Sequence, residues 1–286
     1  MTSLQLFKVS HLHTRNFSRL SFTLMLSLAE RAVRKPLEWV DVVQPDELEE
    51  NVLDVPLEDL RLQTRIEESC NQMLSKQWTP GEDAGNAKLI EFITRHLPHF
   101  TRETCRVCLG REGPDSSSTS CLSPYCHYGE LSIRTIWHAV HDSDAPQASK
   151  DAFIRQLIFR EYSRYISFHF PWTHEQALLP HLRVVPWNDS QEMFKLWRMG
   201  KTGYPLIDAG MRCLWATGWV HNRLRVVVAT FLVKFLLVPW QWGVKYFWDT
   251  LLDADLECDV LGWQYVSGGM SDGIPFDVVR SLCTNT

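Results

Sequence analysis

The feature that most constrains the fold is a succession of apolar residues at helical spacing, which continues through most of the chain after Ser123. Two segments show it best: Phe153, Ile154, Leu157, Ile158, Tyr165 and Ile166, and then Leu224, Val227, Val228, Phe231 and Phe235. The second is rich in β-branched residues, which leaves a buried strand open, but its length and the following Pro239 favour a helix. Strand pairs with hairpin turns are absent from the sequence, as are the GxGxxG and Walker loops. We therefore predict a mainly α fold without repeats.

Shorter segments complete the predicted set of helices. They span residues 21–33, 57–76, 86–96, 244–252 and 255–266. Pro124 suits a first helical position, with Ser123 as the N-cap before it. Residues 101–118 are polar and contain Gly, Ser and Cys, which is typical of a loop.

The composition indicates a globular protein with a sizeable core. Apolar residues make up 45% and charged residues 22% of the 286 residues. The net charge of −5 excludes a general nucleic-acid binder. The stretch from Lys150 to Lys234, however, contains twelve Lys/Arg and only six Asp/Glu. This stretch suits an anionic ligand such as a diphosphate or a DNA backbone, or it forms an ordinary solvated surface.

The eight cysteines are scattered and follow no secretory signal, which is typical of a reduced intracellular protein. Cys105 and Cys108, with Cys121 and Cys126 after them, leave a zinc site open. Their loose spacing favours free thiols, so we predict no metal.

The apolar runs and the composition of the N-terminus indicate where in the cell the protein is expected. No run reaches the roughly 18 uncharged apolar residues that a membrane helix needs. The first acidic residue is Glu30, and this acid-free N-terminus is typical of an organelle transit peptide, or of an ill-defined N-terminus.

Three groups of residues suggest chemistry. Hydroxyl residues from Ser116 to Ser123 lead into a helix start, where backbone N–H groups attract phosphate. Three aspartates come close together in an apolar context, and these are Asp253, Asp255 and Asp259. They suggest a ligand or metal site or a solvated helix start, and Arg225 would neutralise one of them if it were buried. Asn222 lies three residues before Arg225, so both could face one ligand, although such a pair is usually a surface pair.

Several ordered motifs resemble the cryptochrome/photolyase family, and plant cryptochromes most of all. They are Thr119-Ser120-x-Leu122-Ser123-Pro124, Arg160-Glu-Tyr-Ser-Arg164-Tyr-Ile166, Gly203-Tyr-Pro-Leu-Ile-Asp208-Ala-Gly-Met211, Phe247-Trp-Asp-Thr-Leu-Leu-Asp253-Ala-Asp255-Leu-Glu257 and Gly262-Trp263-Gln-Tyr265. The resemblance implies a multi-helix FAD-binding domain over residues 57–275. It leaves a variable segment at 1–56 and a divergent tail at 276–286, and the family's N-terminal α/β antenna domain has no counterpart in the chain.

The resemblance also implies roles for particular residues. Thr119, Ser120, Leu122 and Ser123 would bind the FAD diphosphate. The flavin ring and ribose would be approached by Asn222, Arg225, Asp253, Ala254 and Asp255. Asp259 would face the flavin N5, and Trp263, Trp240 and Trp187 would relay electrons from the surface to the flavin. For each tryptophan taken singly, core packing remains the alternative.

Departures from the family distinguish receptor from repair enzyme. Related photolyases use a Glu and a Trp at the lesion, where this chain has Gln156 and Phe159. Val226 replaces a Met beside the lesion, whereas Asn222 is photolyase-like. Phe100 replaces a flavin-contacting Tyr. This change, and the loss of family pattern after the flavin motif, suggest weak retention of FAD.

We therefore expect a blue-light photoreceptor whose FAD is photoreduced through a tryptophan relay. DNA photolyase is one alternative, and a flavin-poor interaction protein is another. The expected partners are FAD and signalling proteins of unknown identity, with DNA less favoured, self-association open and no membrane. The expected location is the nucleus or cytoplasm, with an organelle as the alternative.

Overall fold

The computed structural model describes residues 71–100, 119–180 and 183–269, which form helices joined by short connections. The α-helices are α1 (Glu82–Glu91), α2 (Ser123–His127), α3 (Ile133–His141), α4 (Gln147–His169), α5 (Gln191–Arg198), α6 (Pro205–Thr217), α7 (Asn222–Thr230), α8 (Trp240–Thr250) and α9 (Leu256–Ser267). π-Helical turns at Phe92–His96 and Phe231–Phe235 extend α1 and α7, and 3-10 turns cover Leu97–His99 and Pro171–His174. These ranges contain no strand, which confirms the predicted mainly α fold.

Most predicted helices are found with shifted ends. The β-branched segment is helical from Asn222 to Phe235, as its length and Pro239 indicated. α1 begins four residues before the predicted segment 86–96, and α8 begins at Trp240 rather than at residue 244. The predicted helix at 21–33, the loop at 101–118 and most of the helix at 57–76 lie outside the described residues.

The predicted N-cap of α2 is wrong. The helix begins at Ser123, and Leu122 occupies the cap position without a side-chain hydrogen bond. The Ser123 hydroxyl instead donates to the Asp253 carboxylate at 2.6 Å. A charge-assisted bond to a carboxylate is stronger than a cap to a backbone N–H, so the hydroxyl serves the tertiary contact.

Two apolar cores hold these helices together. The larger core lies among α5 to α9, and the smaller one among α1 to α4. α9 joins them because it packs against α4 as well as α7 and α8. The aspartates singled out from the sequence lie at the start of α9. Within the described ranges, no helix combines the length and apolar character needed to cross a membrane.

Candidate functional site

A buried ion pair forms the centre of the site. Arg225 on α7 donates through Nη2 to both carboxylate oxygens of Asp253, at 2.9 and 2.7 Å. The Asp253 side chain is only 3% exposed, and the Arg225 Nε donates to the Val220 carbonyl at 2.9 Å. Arg225 therefore neutralises one of the three clustered aspartates. Because both groups have lost water, removing either partner would leave a costly unpaired charge.

The hydroxyl loop before α2 is attached to this ion pair. Ser123 donates to Asp253 across 130 residues of sequence, and Leu122 is 2% exposed. Cys121 has a φ of 51°, in the left-handed region that non-glycine residues rarely adopt. Thr119 and Ser120 lie half-buried in the same loop. Of the proposed diphosphate-binding residues, the structure thus brings Ser123 into contact with the Arg225–Asp253 pair.

Asp255 is the N-cap of α9 and the acceptor for two arginines of α4. It accepts from the Cys258 N–H at 3.1 Å and from Arg164 Nη2 at 2.8 Å, and Arg160 Nε lies 3.4 Å away. Burial alone would raise the pKa of this carboxyl, but the Cys258 hydrogen bonds and the two guanidinium groups hold it below its ordinary value. Asp255 is therefore ionised at neutral pH. Sequence analysis assigned Arg160 and Arg164 no role, although their i,i+4 spacing was a usable signal.

Asp259 behaves differently although it lies one helical turn further along. Its Oδ2 accepts from the Asp255 N–H at 3.2 Å. Desolvation raises the pKa of Asp259 from 3.8 to about 7, and the charge of Arg225 offsets only part of that effect. Near neutral pH, Asp255 is thus ionised, whereas Asp259 is close to the midpoint of its titration. Such a pair can combine a fixed negative charge with a transferable proton.

Asn222 stands apart from these groups. It is the exposed first residue of α7, one turn before Arg225. In the described part of the chain it is not among the hydrogen-bond partners of Arg225 or Asp253. Ala254, by contrast, is 3% exposed and lies buried between the two aspartates.

The three tryptophans that the resemblance assigns to electron transfer share one core. Trp240 and Trp263 are 2% and 3% exposed, and Trp187 packs half-buried against the same cluster. The Asn188 N–H donates to the Leu237 carbonyl at 2.7 Å, which ties the residue after Trp187 to the turn before Trp240. Exposure increases from the buried Trp263 and Trp240 to the half-buried Trp187, as an electron-transfer path toward the surface requires.

Gly243 provides the space for Trp263. A Cβ on Gly243 would overlap the Trp263 Cη2 atom. The indole therefore rests directly on the α8 backbone, three residues after Trp240. Trp197, which sequence analysis did not single out, lies on another side: its ring centroid is 6.3 Å from that of Trp263 and its Nε1 donates to the Val228 carbonyl.

The donor and acceptor set of the site fits FAD. The hydroxyls of Thr119, Ser120 and Ser123 stand before and at the start of α2, and Ser123 joins them to the Arg225–Asp253 pair, while Asp255 and Asp259 add two further carboxyls at the start of α9. His221, 4% exposed at the start of α7, adds an unsatisfied group: its Nδ1 accepts from the Arg223 N–H, while Nε2 has no hydrogen-bond partner among the described residues. A buried polar atom of this kind is usually satisfied by water or by a ligand.

The described residues contain no group of three or more His, Cys, Asp or Glu arranged to hold a metal ion. Cys121 and Cys126 carry free thiols, whereas Cys105 and Cys108 lie outside the described ranges.

Comparison with known proteins agrees with the fit of the site to FAD. The sequence profile of the FAD binding domain of DNA photolyase matches residues 153–285. Cryptochrome-2 of Arabidopsis thaliana is 51% identical over 231 residues, covering 77% of this chain and 36% of the relative. Cryptochrome-1 of Sinapis alba is 45% identical over 261 residues, covering 88% of this chain and 50% of the relative.

The fold also matches solved structures. A bacterial class III photolyase from Agrobacterium tumefaciens superposes with a TM-score of 0.66 at 36% identity, covering 75% of this chain and 43% of the photolyase. The chain thus spans about a third to a half of the length of the relatives that it matches.

Proposed function

The chain carries the FAD-binding helical domain of the photolyase and cryptochrome family, and from this premise we propose that it acts as a blue-light photoreceptor of the cryptochrome type. FAD, when bound, supplies blue-light absorption and accepts an electron and a proton. The main support for this proposal is the raised pKa of the Asp259 carboxyl, which is about 7 and lets the carboxyl hold a proton near neutral pH.

The proposed work of the chain is electron supply and proton supply. Trp263 gives the first electron, Trp240 refills Trp263, and Trp187 refills Trp240. The half-buried position of Trp187 lets the final hole be reduced by solutes. Asp259 supplies the proton that accompanies the electron, while Asp255 and the Arg225–Asp253 pair keep fixed charges around it.

Two residues of α4 support a receptor over a repair enzyme. Gln156 and Phe159 are exposed, three residues apart on one helix face, at the positions that correspond to the Glu and Trp of related photolyases. A glutamine side chain cannot act as an acid, and a phenylalanine ring lacks the indole N–H. Val226, half-buried on α7, replaces the methionine. DNA photolyase remains the second candidate because the solved photolyase shares this fold.

The deciding experiment uses the purified chain supplied with FAD. We expect blue-light photoreduction of the flavin in the presence of a reductant, and no repair of thymine dimers in ultraviolet-damaged DNA. Repair of dimers would establish the photolyase instead. Failure to take up FAD at saturating concentration would leave only the flavin-free interaction protein.

A further inference from the structure

An exposed group of aromatic side chains lies at the end of α4 and on the 3-10 turn that follows it. Phe168 is 81% exposed, and Tyr165 and Trp172 are each 44% exposed. The His169 ring connects Tyr165 with Phe168, because its centroid lies 4.3 Å from the first ring and 5.2 Å from the second. We call these four residues the aromatic patch. Single exposed apolar side chains are normal, whereas a contiguous group of them marks a contact surface.

The chain leaves α9 beside the same turn. The Gly269 N–H donates to the Gln264 carbonyl at 2.7 Å, and the Gly269 carbonyl accepts from the Leu179 N–H at 3.0 Å. The Gln264 side chain donates to the carbonyl of Thr173, the residue after Trp172, at 2.9 Å. Gln264 thus links Gly269 directly to the turn that carries Trp172, and the residues after Gly269 start next to the aromatic patch.

The residues after Gly269 lie outside the described ranges, but their sequence has a regular pattern. Pro275 suits the first position of a helix. Apolar residues then recur at helical spacing, and these are Phe276, Val279, Leu282 and Cys283. Asp277 and Ser281 fall on the other side. Residues 276–283, the tail segment, are therefore predicted to form an amphipathic helix. A helix this short is stable in water only when its apolar side packs against a surface.

We propose that the tail segment packs on the aromatic patch, with Phe276 and Val279 against its exposed rings. Residues 270–275 span about 20 Å when extended, which is ample because Gly269 already lies next to the turn. The patch offers aromatic area to the apolar side of a segment that has no core of its own. Because residues 276–286 depart from the family pattern, the contact is a property of this chain. It requires no flavin and therefore stands apart from the proposed photochemistry.

The first experiment places the photocrosslinker p-benzoylphenylalanine at position 276 of the whole chain and maps its products by mass spectrometry. We expect a cross-link to residues 165–172 in a product of monomeric mass. The same crosslinker at position 278 is the matched control, because Val278 lies off the apolar side of the predicted helix, and it should give several-fold less of this product. A product of dimeric mass would assign the patch to a second copy of the chain. That result, or a cross-link from position 276 to any other part of the chain, would overturn the proposal.

The second experiment measures hydrogen–deuterium exchange of residues 276–283 in the whole chain. We expect their amides to exchange about tenfold or more slowly than those of an unstructured peptide, and to lose this protection in a Phe168→Ser, Trp172→Ser double variant. Both replaced side chains are exposed, and unchanged circular dichroism separates release of the tail segment from unfolding. Met193→Ser, which removes a 43% exposed apolar side chain on α5, should leave the protection unchanged. Unprotected amides in the parent, or equal protection in all three proteins, would refute the contact.

Discussion

Asp259 is the residue on which the proposed photochemistry depends most. Its position one turn before Trp263 was predictable from sequence, because both belong to one helical segment. Its protonation was suggested only by resemblance. Burial raises the pKa of Asp259, and the positive charge of Arg225 on α7 lowers it in part, and no local sequence pattern specifies either the burial or the approach of Arg225.

Replacing Asp259 with Asn should leave light-driven electron transfer from Trp263 intact and remove the proton donor. In the FAD-loaded parent, the light-minus-dark infrared difference spectrum should lose the band of a protonated carboxyl. In the Asn variant that loss should be absent, because an amide has no such proton. The same carboxyl signal in both proteins would assign the proton to another group.

The same carboxyl should make stability depend on pH. The folded state holds the proton up to a pH of about 7, whereas the unfolded chain releases it near its ordinary value of 3.8. Its contribution is therefore fully present below pH 3.8 and is lost as the pH rises to about 7. The shift corresponds to about 4 kcal/mol. Denaturant unfolding of parent and Asp259→Asn proteins from pH 4 to pH 7 should show the parent losing free energy of unfolding relative to the variant, and parallel curves would contradict the raised pKa.

A substitution at Gly243 tests the packing of Trp263, the proposed first electron donor. Gly243→Ala should displace Trp263 and cost about 1–3 kcal/mol of stability, as overpacking in a core does. It should also slow photoreduction in the FAD-loaded protein. Gly262→Ala is the matched control, because a Cβ there meets no atom within 4 Å. A Gly243 variant as stable and as photoactive as the control would mean that Trp263 is not held against α8.

At the scale of helices and turns, one side chain holds the 3-10 turn at Pro171–His174 and the following loop onto α9. Gln264 is 1% exposed, and its Nε2 donates to the carbonyls of Thr173 and Gln176. Its Oε1 accepts from the Leu178 N–H at 3.3 Å. Helical periodicity predicts α9 but not the hydrogen bonds of Gln264, because their partners lie about ninety residues away in sequence.

Gln264→Met should therefore destabilise the protein well beyond a surface substitution. Two carbonyls lose their donor and one N–H its acceptor, at about 1–3 kcal/mol for each buried group left unsatisfied. Gln147→Met, on the exposed first turn of α4, should change stability by less than about 0.5 kcal/mol. Thermal unfolding of the two variants provides the comparison. Equal melting temperatures would contradict a stabilising role for the Gln264 hydrogen bonds.

At the scale of the whole molecule, the fold class followed from the sequence because apolar spacing repeats through nearly every segment. Fewer of the contacts in the candidate site could be predicted from the sequence. The resemblance to the family suggested roles for Arg225, the aspartates and the tryptophans, whereas the cap assigned to Ser123 was wrong because the Ser123 hydroxyl donates to Asp253 instead. The arginine contacts to Asp255 arise only when α4 and α9 come together.

We propose that this chain binds FAD and photoreduces it through its own tryptophans without repairing DNA. The most direct measurement follows flavin absorbance of the FAD-loaded chain under blue light, in the parent and in Trp240→Phe, with Trp215→Phe on the exposed face of α6 as the control. We predict photoreduction in the parent and the control, loss of it in Trp240→Phe at unchanged flavin content, and intact dimers in damaged DNA under the same light. Undiminished photoreduction in Trp240→Phe, or repair of the dimers by the parent, would contradict the account.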